Sequence, residues 1–549
     1  MTRTYRTAEE VDFAVVGSGV AGGVIARDLA RAGVSVVVLE QGPRLGPADF
    51  RHDELAYWFG NALLNDPEAC PQSFRRTDTE VAQRVRDFPY LWYARTVGGS
   101  STHFTANYWR FHESDFRERS LVGAIAGTTL ADWPIDYAEL EPYYTRVEWE
   151  IGVSGLAGAS PFDPPRSRPY PMPPLPVKSS GVLLERGARK LGLHPFPAPM
   201  AINSVPHNGR PACAHCGFCM GYGCEMMAKS STLFTAIPEA EATGRCEVRS
   251  SSYVFRIETN AAGRVTGVVY FDADRREQRQ KARAVVLCAN GAETPRLLLL
   301  SANERYPDGL ANSSGLVGRN LMFNTYAEAH ARFARELNEY KSVQVTRIVH
   351  DFYESDPRRG FYGGGGIDGR IGPAPAAWAW LGAPPTKQWG APFKTFLEGF
   401  PRSMIAATHG TSLPLESNRI ELDPELRDAW GIPAMRITYR DHPDDLATAR
   451  FLQARAVEIL EAAGAEETWT IPVTEAVGSP HLLGTCRMGD DPESSVVDRY
   501  HRAHDVPNLF ICDGSSLVTG GRGQPTMTIQ ALAFRAAEHI ARFAQAGEI

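Results

Sequence analysis

The sequence predicts an α/β protein in which one layered domain is assembled from segments far apart in the chain, with a second domain inserted between them. Three observations lead there. Residues 11–39 read as strand, helix and strand, residues 284–300 as strand, turn and helix, and residues 508–543 close the chain with the same succession. With 549 residues, 43% hydrophobic, 22% charged and 10% aromatic, the chain has material for more than one core, and a mainly disordered or fibrous protein is excluded. Lysine and arginine total 57 against 64 acidic residues, a net charge of −7, so no overall basic footprint for nucleic acid exists.

Val11 to Val16 is a continuous apolar run stopped by Gly17, Ser18 and Gly19, the pattern of a strand buried on both faces. Val20 to Ala32 reads as a small-residue helix, and Ser35 to Leu39 as the next buried strand. Eight of the sixteen residues from 161 to 176 are proline, which excludes helix and central strand and leaves an extended surface connector. Val285 to Cys288 reads as strand, Asn290 and Gly291 as a turn, and Thr294 to Leu300 as helix. The run Gly363 to Gly366 reads as a mobile loop. Asn508 to Cys512 is a short apolar strand, followed by a glycine-rich turn and a helix from about Pro525 to Phe543. No run approaches the roughly 18 apolar residues that a membrane span needs.

Gly17-Ser18-Gly19-Val20-Ala21-Gly22 is a G-x-G-x-x-G sequence that follows a strand and opens a helix. Gly17 permits the tight turn, Gly19 lets the backbone approach a pyrophosphate, and Gly22 lets helix and strand pack closely. Glu40 ends the second strand, at the distance where an acid accepts hydrogen bonds from a ribose. An acid there disfavours a 2′-phosphate, which leaves FAD or NAD.

Three further segments resemble the glucose-methanol-choline (GMC) oxidoreductases: Val97-Gly98-Gly99-Ser100-Ser101-Thr102-His103, Asn290-Gly291-Ala292-Glu293-Thr294-Pro295, and the stretch from His481-Leu482-Leu483-Gly484-Thr485-Cys486 to Asp513-Gly514. The likeness runs nearly the whole chain in the right order. Within that family, Cys216-Gly217-Phe218-Cys219, Gly315 to Phe323 and Asp132-Trp133-Pro134-Ile135 resemble the flavoprotein large subunits of bacterial gluconate and fructose dehydrogenases. Pyranose oxidases are the next branch.

The resemblance implies a Rossmann-like FAD-binding domain built from residues 8–45, 90–110, 225–325 and 480–549. Residues 46–89, 111–224 and 326–479 would form an α+β substrate domain with an antiparallel sheet, plus connecting segments. Gly98, Gly99, Ser100 and Ser101 would lie against the flavin, and Asp513 and Gly514 beside the pyrophosphate and ribityl chain. His103 stands where pyranose oxidases carry a histidine joined covalently to the flavin, with Phe104 in place of their tryptophan. It either forms that bond or packs on the flavin edge. Thr105 would approach flavin N5 and O4.

His481 holds the family's position for the histidine facing flavin N5. A C–H hydride leaves only as the hydroxyl proton is taken, and imidazole suits that task. Gln524 follows 43 residues later, where family members usually place asparagine or histidine. An amide is no base, but it can hold the substrate hydroxyl or the developing alkoxide. Pro525 and Thr526 open the last helix, whose positive end would face the flavin's N1 and O2.

Cys213, Cys216, Cys219 and Cys224 lie within twelve residues as C-x2-C-x2-C-x4-C, four of nine cysteines in the chain. Such spacing converges thiolates on one inorganic centre: an iron–sulfur cluster, zinc, or failing either, disulfides. The resemblance to sugar dehydrogenase large subunits implies a [3Fe–4S] cluster, which needs three of the four.

The expected activity is oxidation of a CH–OH group of a sugar, polyol, glycoside or sugar acid, with electrons leaving through the cluster to a cytochrome subunit or quinone. An oxidase using O2, a dehydrogenase of a non-sugar alcohol, and a non-catalytic electron-transfer subunit are the rivals. Tyr362, Trp378 and Trp380 are candidates for stacking on a sugar, while aromatic residues are as often core. Met1 to Glu10 is polar with no signal segment. A periplasmic location would therefore depend on a small export-carrying subunit, and the alternative is the cytoplasm.

Overall fold

The computed structural model describes residues 3–86, 88–337, 339–370 and 374–549. Met1 and Thr2 of the polar N-terminal segment thus lie outside the described residues. Strand β1, Val11–Val16, is followed by helix α1, Val20–Arg31, and strand β2, Val36–Leu39. β2 is buried along its whole length and β1 nearly so, which accounts for their unbroken apolar runs. Strand Cys246–Arg249 pairs parallel with β2 on the outer side, and strand Glu277–Leu287 pairs parallel with β1 on the other. Leu509–Ile511 then adds parallel to Glu277–Leu287. Val16 stands opposite both Leu39 and Leu287, and Ile511 opposite Leu287, so four strands end level at one edge. Whatever follows those ends is gathered along one crevice, where open α/β sheets bind their ligands.

Glu277–Leu287 joins the two halves of one seven-stranded sheet. Its first half pairs antiparallel with Val265–Phe271, which pairs with Tyr253–Thr259; its second half enters the parallel layer. Helix α1 packs against the C-terminal helix Thr526–Gln545, bringing the two ends of the chain together.

A second sheet is antiparallel throughout, in the order Glu467–Thr470, Tyr326–Arg332, Ser403–Gly410, Gly365–Arg370, Arg347–Val349, Phe196–Pro197. Helix Pro443–Ala463 packs against it, with Pro443 in its first turn and Gly464 in the left-handed conformation at its end. A four-stranded sheet of Arg419–Arg427, Pro433–Thr438, Gln72–Arg75 and Gln83–Val85 completes the architecture.

Two sequence expectations fail. The run Gly363 to Gly366 is no mobile loop: it is buried and enters strand Gly365–Arg370. A Cβ on Gly364 or Gly365 would overlap the backbone oxygens of Tyr353 or His409, so the glycines permit close strand packing rather than motion. Asn290 and Gly291 are the first residues of helix Asn290–Leu300, not a turn before it. Asn290 Oδ1 accepts hydrogen bonds from the amides of Ala292 and Glu293, and so starts the helix four residues early. The proline-rich stretch 161–176 contains no helix or strand, as its composition requires.

Candidate functional site

At the strand ends the backbone makes a cradle. Gly17 has φ +94°, and a Cβ there would overlap the carbonyl oxygen of Cys288. Gly19 opens α1, and a Cβ on Gly99 would sit 2.9 Å from the Gly19 Cα, so two glycine segments meet with only backbone between them. Gly22 packs against the Gly17 carbonyl, which fixes α1 onto β1. Glu40, at the end of β2, accepts hydrogen bonds from Ser18 Oγ (2.7 Å), the Ser18 amide (3.1 Å) and the Gly42 amide (3.0 Å). Burial raises its carboxyl above the usual range, and those donors work against the rise. Asp513 follows the last strand and accepts from Thr294 Oγ1 (2.6 Å) and the Ser515 amide (2.8 Å).

These groups line one cleft of about 1260 Å³, counting its open mouth. It gathers Gly17, Gly19, Glu40, Gly99, Ser100, Ser101, His481, Asp513, Gly514, Pro525 and Thr526. Gly22, Gly98, His103, Thr105 and Gln524 are not on its wall. Gly98 is left-handed, and its amide donates to Ser18 Oγ at 3.0 Å, joining the two glycine segments from behind. The cradle, the acid at the ribose distance and the helix N-terminus fit a dinucleotide laid along the strand ends.

His481 is half-buried at the cleft, with its amide donating to Ser479 Oγ. Loss of water, then the positive charge of His409, lower its imidazole to about 4, so it is a neutral base near pH 7. His409 ends strand Ser403–Gly410, and sequence reasoning missed it. Its Nδ1 lies 3.2 Å from Gln524 Nε2 and its Nε2 bonds Asp368 Oδ2. Arg370 forks onto the same carboxylate. Although burial opposes it, Arg370 and His409 bring Asp368 down to about 2. The one available signal was the pair Asp368 and Arg370, an acid and a base two apart in a glycine-rich strand and so on one face.

Beside this group stands Trp109, its ring 5.8 Å from His409 and 5.7 Å from His350. A Cβ on Gly523 would sit 2.8 Å from Trp109 Nε1. Trp109 Nε1, His350 Nε2 and both amide atoms of Asn107 are buried without a protein partner. Buried polar atoms of this kind are completed by water or by a ligand. Of the three aromatic candidates, Trp378 and Tyr362 prove to be core, Trp378 stacked with Phe396 and near Trp469 and Tyr362 packed with Leu130, Leu413 and Leu415, while Trp380 is an exposed ring against Phe59.

The four clustered cysteines share the loop 213–224, with Cys219 buried and the others partly so. Burial pushes the Cys213 thiol up to about 11 and Cys219 to about 12. Tetrahedral zinc, with Zn–S near 2.3 Å, holds its sulfurs about 3.8 Å apart. Among the described residues no three of these thiols come within 4.8 Å of one another, and the donors that do are His52, Cys216 and Glu225. As placed here, the four thiols do not gather around one tetrahedral ion. Lys229, buried, fastens the loop by donating from Nζ to the carbonyls of Cys219 (2.9 Å), Tyr222 (2.7 Å) and Phe104 (2.9 Å). Gly221 donates to the His103 carbonyl, so the cysteine loop and the His103 segment touch. His103 Nε2 is buried with no partner, and burial followed by the Lys229 charge lowers the ring to about 3.

Residues 11–325 and 414–533 match the two family models described as GMC oxidoreductase. The chain is 36% identical to 2-methyl-1,2-propanediol dehydrogenase of Mycolicibacterium austroafricanum, over 98% of this chain and 96% of that one. It is 31% identical to the fructose dehydrogenase large subunit of Gluconobacter japonicus, over 96% and 97%. Its fold resembles that of pyridoxine 4-oxidase from Mesorbium loti, with a TM-score of 0.66 and 19% identity over 96% and 99% of the two chains.

Proposed function

The chain belongs to the GMC oxidoreductase family, flavoenzymes acting on CH–OH groups, and from that premise we propose that it is an FAD-dependent dehydrogenase of polyols or sugars. The observation that carries the substrate class is the group of orphaned buried polar atoms on Asn107, Trp109 and His350. A hydrocarbon alcohol would leave them unpaired at about 1–3 kcal/mol each, whereas a molecule with several hydroxyls satisfies them.

Bound FAD supplies the acceptor for the two electrons of the C–H bond. Gly17, Gly19 and Gly99 would admit its diphosphate, Glu40 would accept from its ribose, and Asp513 with Gly514 would lie along its linker. His481 takes the hydroxyl proton on an unprotonated imidazole nitrogen. Gln524, which meets His409 at 3.2 Å, would hold the substrate hydroxyl by hydrogen bonding. The N-terminal end of helix Thr526–Gln545 places unpaired amides where negative charge develops. Anaerobic purified enzyme with a panel of polyols, sugars and simple alcohols tests the reading: bleaching by polyols with transfer to an artificial acceptor supports it, and steady O2 consumption in place of dye reduction replaces it with an oxidase.

His103 is assigned as the residue for covalent attachment, on the strength of its unpartnered Nε2. Acid precipitation is expected to leave the yellow colour in the protein pellet; colour wholly in the supernatant removes the bond. Three of Cys213, Cys216, Cys219 and Cys224 are assigned to an iron–sulfur cluster that hands electrons to a cytochrome or quinone partner. Anaerobically purified protein is expected to hold iron and acid-labile sulfide in near-equal amounts, about three or four per flavin. Iron-free protein would cancel the relay and leave a directly dye-linked enzyme.

A further inference from the structure

We propose that His52, Cys216 and Glu225 form a zinc site that ties residues 50–63 to the cysteine loop, and that Cys216 is the one clustered thiol outside the iron–sulfur cluster. The zinc site stands by itself. The assignment of Cys216 rests on the cluster reading above and names Cys213, Cys219 and Cys224 as its three ligands.

Three donors of different kinds meet at one point. One ligand atom from each of His52, Cys216 and Glu225 lies within 4.8 Å of the other two, and no second group of three such donors meets that limit among the described residues. Around a tetrahedral zinc these atoms would stand roughly 3.3 to 3.8 Å apart, so a cation between them draws each inward by at most about 1 Å. The charges match as well. A neutral imidazole, a thiolate and a carboxylate together carry two negative charges, which Zn2+ balances, and a borderline-soft ion takes nitrogen, sulfur and oxygen alike. Calcium and magnesium favour oxygen alone. The Cys216 thiol gives its proton to solvent as the metal binds.

The surroundings hold the donors in place. His52 Nε2 lies 3.0 Å from Glu225 Oε1, and its ring stacks on Phe218 with centroids 4.0 Å apart and planes at 7°. A histidine–glutamate ion pair needs no thiol, and it is the sulfur at the same point that makes the group a metal site. The two segments already pack together: Tyr57 and Leu63 share a small core with Tyr222, and a Cβ on Gly223 would overlap the Phe50 ring. The His52 and Glu225 side chains are each about a third exposed, so an ion enters from solvent. Three protein ligands leave the fourth position to water.

The test incubates anaerobically purified holoenzyme with zinc sulfate, desalts it and measures zinc, iron and flavin, with wild type beside His52→Ala, Glu225→Gln and Cys216→Ser. Wild type is expected to keep about one zinc per chain. Each variant is expected to keep at least tenfold less, since losing even an outer partner of a metal costs about 10- to 100-fold in affinity. Iron and flavin are expected to stay at the wild-type level in all three. X-ray absorption at the zinc edge, which does not see iron, is expected to show one sulfur at about 2.3 Å and nitrogen or oxygen at about 2.0–2.2 Å. If Cys216→Ser does not fold, that sulfur count replaces it. Wild type that keeps no more zinc than His52→Ala, or zinc bound by more than one sulfur, overturns the site. Loss of iron from Cys216→Ser, with His52→Ala keeping its iron, makes Cys216 a cluster ligand and overturns its assignment. Zinc held by one sulfur in protein without iron defeats the cluster reading and supports the zinc site.

Discussion

Replacing His481 by alanine is expected to slow flavin reduction by substrate about 10²- to 10⁴-fold, the usual worth of a positioned general base, while the enzyme stays yellow and folded. The ring lines the cleft, and its loss removes no cradle contact. Its pH signature is specific. A base acts when unprotonated, and the imidazole is lowered to about 4, first by burial and then by the charge of His409. In wild type the rate of flavin reduction should thus rise with pH through about 4 and be flat above about 5. His481→Ala should lose that acid limb along with the rate. Stopped-flow mixing across pH measures both, and reduction within threefold of wild type would remove His481 from the chemistry.

Gly17→Val is expected to give colourless protein, with flavin content at least tenfold below wild type. The position has φ +94°, where a β-branched residue is strained by roughly 1–2 kcal/mol before any contact is counted. Its Cβ would also overlap the Cys288 carbonyl, and that carbonyl belongs to backbone at the end of strand Glu277–Leu287 that cannot swing aside. The two strands must part, and the pyrophosphate turn opens with them. Flavin-to-protein absorbance ratio and thermal melting together read the outcome. A fully loaded Gly17→Val enzyme would show that the turn does not hold the cofactor.

How much of this was legible in the sequence depends on how local the cause is. β1, α1 and β2 stand where the apolar runs and the glycines put them, because a strand covered on both faces must be apolar throughout and a turn onto a helix needs left-handed backbone. The glycine run at 363–366 was misread because glycine permits close packing as readily as motion, and composition alone does not choose between them. For Tyr362 and Trp378 the choice between sugar face and core was open for a similar reason: ring size says nothing about which surface a ring covers. Asp368 and His409 escaped notice because their meeting is made by antiparallel pairing, with Asp368 opposite Ala407 and Gly366 opposite His409, between strands some forty residues apart. Gln524 was found by its place before Pro525, but His409, which it meets at 3.2 Å, belongs to the antiparallel sheet.

The most direct measurement is anaerobic mixing of the purified yellow enzyme with a polyol carrying either hydrogen or deuterium on the reacting carbon. If residues 17–22, 40, 98–101 and 513–514 hold FAD and His481 serves C–H oxidation there, the flavin colour bleaches, the rate saturates with substrate, and deuterium slows it several-fold. A flavin-loaded enzyme that keeps its colour with every polyol, sugar and alcohol offered, in the absence of O2, would contradict the account at its centre.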